Sequence, residues 1–136
     1  MHRGFLITAA ILAALSVAMG AFAAHALKDL ISERAIVTFE TGVRYQFYHV
    51  FALFITAIIY QQLPAMVTKI AGWLFGFGIL LFSGSLYLLA FMQATVKPGY
   101  DWIGAITPIG GTAFIAGWIC LLIAATKIRH VSKRPE

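Results

Sequence analysis

Two histidines, His25 and His49, and a run of polar side chains at helical spacing, Glu40, Arg44, Tyr45 and Tyr48, are the residues of this chain best placed to do chemistry. They interrupt stretches that are otherwise apolar. At a spacing of four, Glu40 falls beside Arg44, Arg44 beside Tyr48, and Tyr45 beside His49, which makes one polar ridge along a helix. Three kinds of chemistry come into question. Two imidazoles could ligate a haem iron from opposite sides. An ionisable pair at membrane depth could mark an ion or proton path. Arg44 could also hold an anionic lipid headgroup or a small acid.

Each has a plainer alternative. His25 closes the first apolar stretch, whereas His49 starts about seven residues into the second, roughly 10 Å deeper at helical rise. That offset argues against shared axial ligation. Cys120 is the single cysteine, and no CxxC or Cys/His cluster offers a metal site, so no metal, haem or redox cofactor is expected. A proton-coupled carrier wants a carboxylate near the midplane, yet Asp29, Glu33, Glu40, Asp101 and Glu136 all fall outside the apolar stretches or at their edges. For Glu40 and Arg44 the plainer role is an interfacial ion pair that sets the angle of the second helix. For the histidines it is a hydrogen bond to a neighbouring helix, because an unsatisfied polar group in hydrocarbon costs several kcal/mol. Gly110-Gly111 and Gly76-Phe77-Gly78 are not phosphate loops, since no Lys-Ser or Lys-Thr follows them. Ser83 and Ser85 have no base nearby in sequence. No catalytic residue is assigned, and enzyme activity is not expected.

The elements that must position these groups are four uncharged apolar stretches, and a membrane-spanning helix needs about 20 apolar residues. They predict an all-α polytopic membrane protein, one domain over residues 1–136, with spans at about 4–27, 42–61, 70–92 and 105–126. The second is short. From Phe47 to Tyr60 it covers about 21 Å at helical rise against a hydrocarbon core of about 30 Å, so the helix must extend back through Arg44 to Gly42. Between the first two spans, Lys28 to Arg44 mixes charges with Leu30, Ile31, Ile36, Val37 and Phe39, which predicts an interfacial helical segment capped by Ser32. Gly20, Gly72, Gly76, Gly84, Gly110 and Gly117 are the candidates for close helix packing, with Gly72-xxx-Gly76 as a contact motif. Lys97-Pro98-Gly99-Tyr100-Asp101 predicts a turn, Trp102 a headgroup-level anchor, and Thr107-Pro108 the cap and first residue of the last helix. Ala21-Phe22-Ala23 has the form of a signal-peptide cleavage site. The apolar run before it exceeds the ~7–15 residues of a signal core, so it is expected to remain as the first helix.

Composition agrees. Hydrophobic residues are 61% and charged residues 11% of the chain, against about 45–50% and 25% in soluble domains. The net charge of +5 comes with basic residues gathered after the last span and no interleaving of aromatics with them, which fits anionic lipid and excludes nucleic acid. With four spans, Arg3, Lys69, Lys127, Arg129, Lys133 and Arg134 share one side, and Lys28, Arg34, Arg44 and Lys97 the other. Six against four places both termini in the cytoplasm. The expected partners are membrane lipids and, through the small-residue faces, a homo-oligomer or a larger membrane complex. Two functions are therefore expected in order: a non-catalytic structural, accessory or lipid-interacting protein, then a small oligomeric transporter or channel with its polar site at Arg44 and His49.

Four motifs carry a resemblance. Gly20-Ala21-Phe22-Ala23-Ala24-His25-Ala26-Leu27, Phe39 to His49, Leu80 to Tyr87 and Thr107-Pro108-Ile109-Gly110-Gly111 follow one another along nearly the whole chain. In these the sequence resembles the YgdD/YwdK family of small bacterial inner-membrane proteins. The resemblance implies four membrane helices and an inner-membrane compartment. It names no substrate.

Overall fold

The computed structural model describes residues 1–63, 65–95, 99 and 101–131. Pro64, most of the turn expected around Lys97-Pro98, and the basic residues Lys133 and Arg134 lie outside the described residues. Within them, four helices are long and apolar enough to cross a bilayer. The protein is an all-α membrane protein.

Helix α1 runs from Arg3 to Leu27, and its last five residues, Ala23–Leu27, widen into a π turn. The His2 ring accepts a hydrogen bond from the Phe5 N–H at 3.3 Å, and the His2 N–H donates to the Ala57 carbonyl at 3.1 Å. The start of α1 is thus both capped and tied to the next helix. Helix α2, Glu33–Gln62, is 30 residues long, or about 45 Å at 1.5 Å per residue. Ser32 caps it as expected, its Oγ accepting from the Ala35 N–H at 3.3 Å, and Glu33 faces the positive end of the helix dipole. The segment expected at the interface is helical and joins the second span without a break. Helix α3, Met66–Ala94, carries a second π turn at Ile79–Ser83. A short α4, Asp101–Gly104, precedes α5, Thr107–Val131. Before α4, Gly99 has φ 94°, a left-handed conformation that glycine takes without strain.

The helices form a row α1, α2, α3, α5, with α3 packed extensively on both α2 and α5. The main core is Phe5, Ala9, Val50, Ala52, Leu53, Ala57, Ala71, Phe75, Ile79, Phe114 and Leu121. Small residues let the backbones close in. A side chain at Gly110 would overlap the backbone of Phe82, one at Gly72 the Phe5 ring, and one at Gly117 the Phe75 ring. Two expected packing residues do not serve this purpose. Gly76 and Gly84 have nothing within 4 Å of where a Cβ would stand, and Gly20 has only an ordinary contact with Val43 at 3.7 Å. Four residues turn a helix by about 40° beyond a full circle, which carries Gly76 out of line with Phe5. The π turn then shifts the phase of α3 before Gly84. Gly78, where a Cβ would overlap the Phe114 ring and come within 3.3 Å of the Gly110 carbonyl, takes the place assigned to Gly76.

Candidate functional site

Helix α2 turns about 100° per residue, so Arg44 and His49 stand about 140° apart around its axis. This splits the expected ridge. Glu40, Arg44 and Tyr48 are exposed on the outer side, where with Gly20, Val43 and Phe47 they line a groove of about 340 Å³ beside α1. His49 is buried at 6% exposure on the opposite side, with Gln46 at 4%. Tyr45 is half-exposed between them. His25 sits exposed in the π turn that ends α1. The two histidines are therefore a core residue and a surface residue. Among the described residues, no three His, Cys, Asp or Glu side chains converge as a metal would need.

Gln46 is the interior polar residue that sequence reasoning passed over. Its Nε2 donates to the Leu12 carbonyl of α1 at 3.1 Å, and its Oε1 accepts from the Tyr87 hydroxyl of α3 at 2.9 Å. The Ser16 hydroxyl shares the same Leu12 carbonyl at 2.8 Å. One amide so joins three helices. Gly42 lies one turn earlier on that face, where a Cβ would come within 2.8 Å of the Tyr87 ring. The spacing Gly42, Gln46, His49, Leu53 is the core-facing period of α2 and was the available signal.

His49 is held by an aromatic stack and two hydrogen bonds. Its ring stacks on Phe114, with centroids 3.4 Å apart and planes 5° from parallel. Tyr45, Phe75 and Trp118 surround it with centroids between 6.0 and 6.3 Å away. Nδ1 lies 2.8 Å from the Tyr45 carbonyl, and the Trp118 indole N–H donates to Nε2 at 3.4 Å. A carbonyl only accepts and an indole N–H only donates, so these partners fix the neutral tautomer with its proton on Nδ1. Nε2 is left as an acceptor. The groove beside it, about 380 Å³, is walled by Tyr45, Phe82, Pro108, Gly111, Thr112, Phe114, Ile115 and Trp118. Phe82 belongs to the π turn of α3, a feature that often accompanies functional sites.

Nearby, the Ser85 hydroxyl donates to the Phe82 carbonyl at 2.9 Å, so at 2.8 Å it accepts from Thr107. The Thr107 hydroxyl, expected as a helix cap, bridges α5 to α3. Among the described residues, three buried side-chain oxygens have no partner: Thr68 Oγ1, Ser83 Oγ and Gln93 Oε1. A third cavity, about 290 Å³, has side walls of Phe22, Leu27, Leu30, Ile31, Phe39, Phe91 and neighbouring residues at the α1–α2 connection, and is almost wholly apolar.

Comparison with known proteins agrees with this fold. The family described as a protein of unknown function (DUF423) matches residues 19–111. The UPF0382 membrane protein YwdK of Bacillus subtilis is 45% identical over 125 residues, covering 90% of this chain and 96% of the relative. UPF0382 membrane protein SSP2132 of Staphylococcus saprophyticus is 43% identical over 124 residues, covering 91% and 98%. A UPF0382 membrane protein of Haemophilus influenzae is 39% identical over 132 residues, covering 96% and 100%. No solved structure matches the chain.

Proposed function

The chain belongs to the DUF423 family, and from that premise and the site geometry we propose that it is a non-catalytic membrane protein, an accessory subunit or a holder of a lipid-phase molecule. One observation carries this reading. The large polar side chains of the core are engaged in tying helices together: Gln46 joins α1, α2 and α3, and His49 joins α2 to α5. Acid–base or nucleophilic catalysis needs a group free to react, positioned against a partner that activates it. Gln46 and His49 are committed to these contacts. The outward side of α1, with Ala10, Ala14, Ala18 and Ala21 exposed, offers a small-residue surface to lipid or to a larger complex. The bacterial inner membrane is the compartment that the family resemblance implies, and both termini in the cytoplasm is the orientation that the basic residues favour.

A small oligomeric transporter or channel is the second reading. It is favoured by the open groove at Glu40, Arg44 and Tyr48, whose path a second copy would have to complete. Native mass spectrometry after mild extraction tests the choice. A retained lipid-phase molecule or partner subunit is the expected result. Flux of protons or anions into liposomes, lost in Arg44→Gln, would replace the first reading by the second.

A further inference from the structure

We propose that the groove beside His49 is a lateral binding site for a lipid-soluble ring bearing a hydroxyl, the quinol class of amphiphile, with the hydroxyl on His49 Nε2. The inference rests on the reading above of a protein that holds a lipid-phase molecule, and it names the molecule by its chemistry.

Depth is the first argument. His49 lies sixteen residues beyond Glu33 and thirteen before Gln62, roughly 24 and 20 Å along the axis of α2. The part of this helix over 42–61 crosses the ~30 Å hydrocarbon core, so His49 stands roughly 10 Å from the nearer headgroups and roughly 18 Å from the farther ones. A ligand with its polar group at this level must be soluble in hydrocarbon. Trp118 points the same way. Tryptophan in membrane proteins concentrates at the headgroup level, yet this one is 46% exposed beside a residue well inside the hydrocarbon core, with its N–H turned to His49.

Hydrogen-bond complementarity is the second. Nε2 can only accept and Trp118 Nε1 can only donate, so the site asks for a group that does both. A ring hydroxyl is such a group. The present Trp118–His49 bond, at 3.4 Å, is longer than the usual 2.7–3.2 Å. An oxygen beside it could take a shorter bond to each nitrogen. Tyr45 and Phe82, with ring centroids 4.7 Å apart, give the ring an aromatic wall. A volume of about 380 Å³ is in the range of small-molecule sites. The oxidised quinone form lacks the O–H, and its carbonyl would turn lone pairs toward the lone pair of Nε2. The site should therefore prefer quinol to quinone by about tenfold, the worth of one good hydrogen bond. Only binding is proposed, with no electron transfer.

The test uses the full chain in phosphatidylcholine nanodiscs, with Trp73→Phe and Trp102→Phe so that Trp118 is the only fluorophore of its kind. Decylubiquinol and decylubiquinone are titrated in turn. Saturable quenching of Trp118, about tenfold tighter for the quinol, is expected. Thr112→Phe, which fills the groove from an exposed position, should abolish saturation, and His49→Phe should remove the preference. Were His49→Phe unable to fold, the Thr112 variant and the quinol-to-quinone ratio would still decide the matter. Quenching that rises linearly with quinone content and equally in a variant keeping only Trp73 overturns the site, as does saturation indifferent to both substitutions. Failure here with a partner or phospholipid still retained in native mass spectrometry removes this ligand and leaves the accessory reading standing. Turnover of quinol with an added acceptor would instead remove the non-catalytic reading.

Discussion

The two sides of α2 carry similar numbers of polar side chains and use them oppositely. On the inner side, Gln46 and His49 are nearly fully buried, and each hydrogen-bonds a neighbouring helix. On the outer side, Glu40, Arg44 and Tyr48 are exposed around an open groove. Among the described residues the expected Glu40–Arg44 ion pair is not formed. The difference teaches which groups hold the fold. In hydrocarbon a buried amide or imidazole must find partners, and the partners available are other helices. An exposed guanidinium can instead bend toward the headgroups and needs none. Within the inner side a second difference appears. Gln46 is closed in by three helices, whereas His49 borders a groove, so the first is structural and the second is structural with an opening.

The largest expected effect lies at the crossing that builds the His49 side. Gly110→Leu places a branched side chain onto the Phe82 backbone, where no rotamer gives room. Overpacking of this kind costs about 3 kcal/mol or more when backbone must move. A thermal melt in detergent should fall steeply, while Gly76→Leu, with open space around it, should barely move. Equal losses at the two sites would mean that the α3–α5 contact is not what holds the bundle.

Gln46→Leu comes next, at about 2 kcal/mol, because it leaves the Tyr87 hydroxyl without its acceptor in an apolar setting. Combining it with Tyr87→Phe removes both partners, so the double variant should melt above Gln46→Leu alone. Interhelical hydrogen bonds measured in membranes average well below 2 kcal/mol, and a loss of a few tenths in both variants would make Gln46 a bystander. His49→Phe should cost about 1 kcal/mol. The ring keeps its stack on Phe114, and the orphaned Trp118 N–H is half-exposed. Adding Trp118→Phe should then change stability little further, which separates the structural bond from the binding role tested above.

Much of the fold was legible because the bilayer imposes it. Spans of the right length, the Ser32 cap and the backward extension of α2 through Arg44 follow from helical rise and hydrocarbon thickness alone. The site was only half legible. A spacing of four correctly paired Glu40, Arg44 and Tyr48 on one side, and Tyr45 with His49. Treating both sets as one ridge ignored the rotation that five residues accumulate. Gln46 was hidden because its partners, Leu12 and Tyr87, lie 34 and 41 residues away. The π turn at Ile79–Ser83 was hidden for a different reason. No residue type marks it, and it changes which glycines of α3 meet a neighbour.

The smallest expected effect tests the outer side. Arg44→Gln removes a charge from an exposed position that holds no helix in place, so the melt in uncharged detergent should not shift measurably. What the arginine can still do is attract anionic headgroups, an interaction worth about 1 kcal/mol per basic residue near the surface and weakened by salt. In vesicles containing phosphatidylglycerol, the wild-type melt should therefore rise slightly over that in neutral vesicles, and Arg44→Gln should lose part of the rise at low salt only. A melt lowered by Arg44→Gln in uncharged detergent, as far as by Gln46→Leu, would contradict the division of α2 into a holding side and a free side. It would mean that the guanidinium is bound by the bundle, and the groove at Glu40 would then have to be read as part of the core.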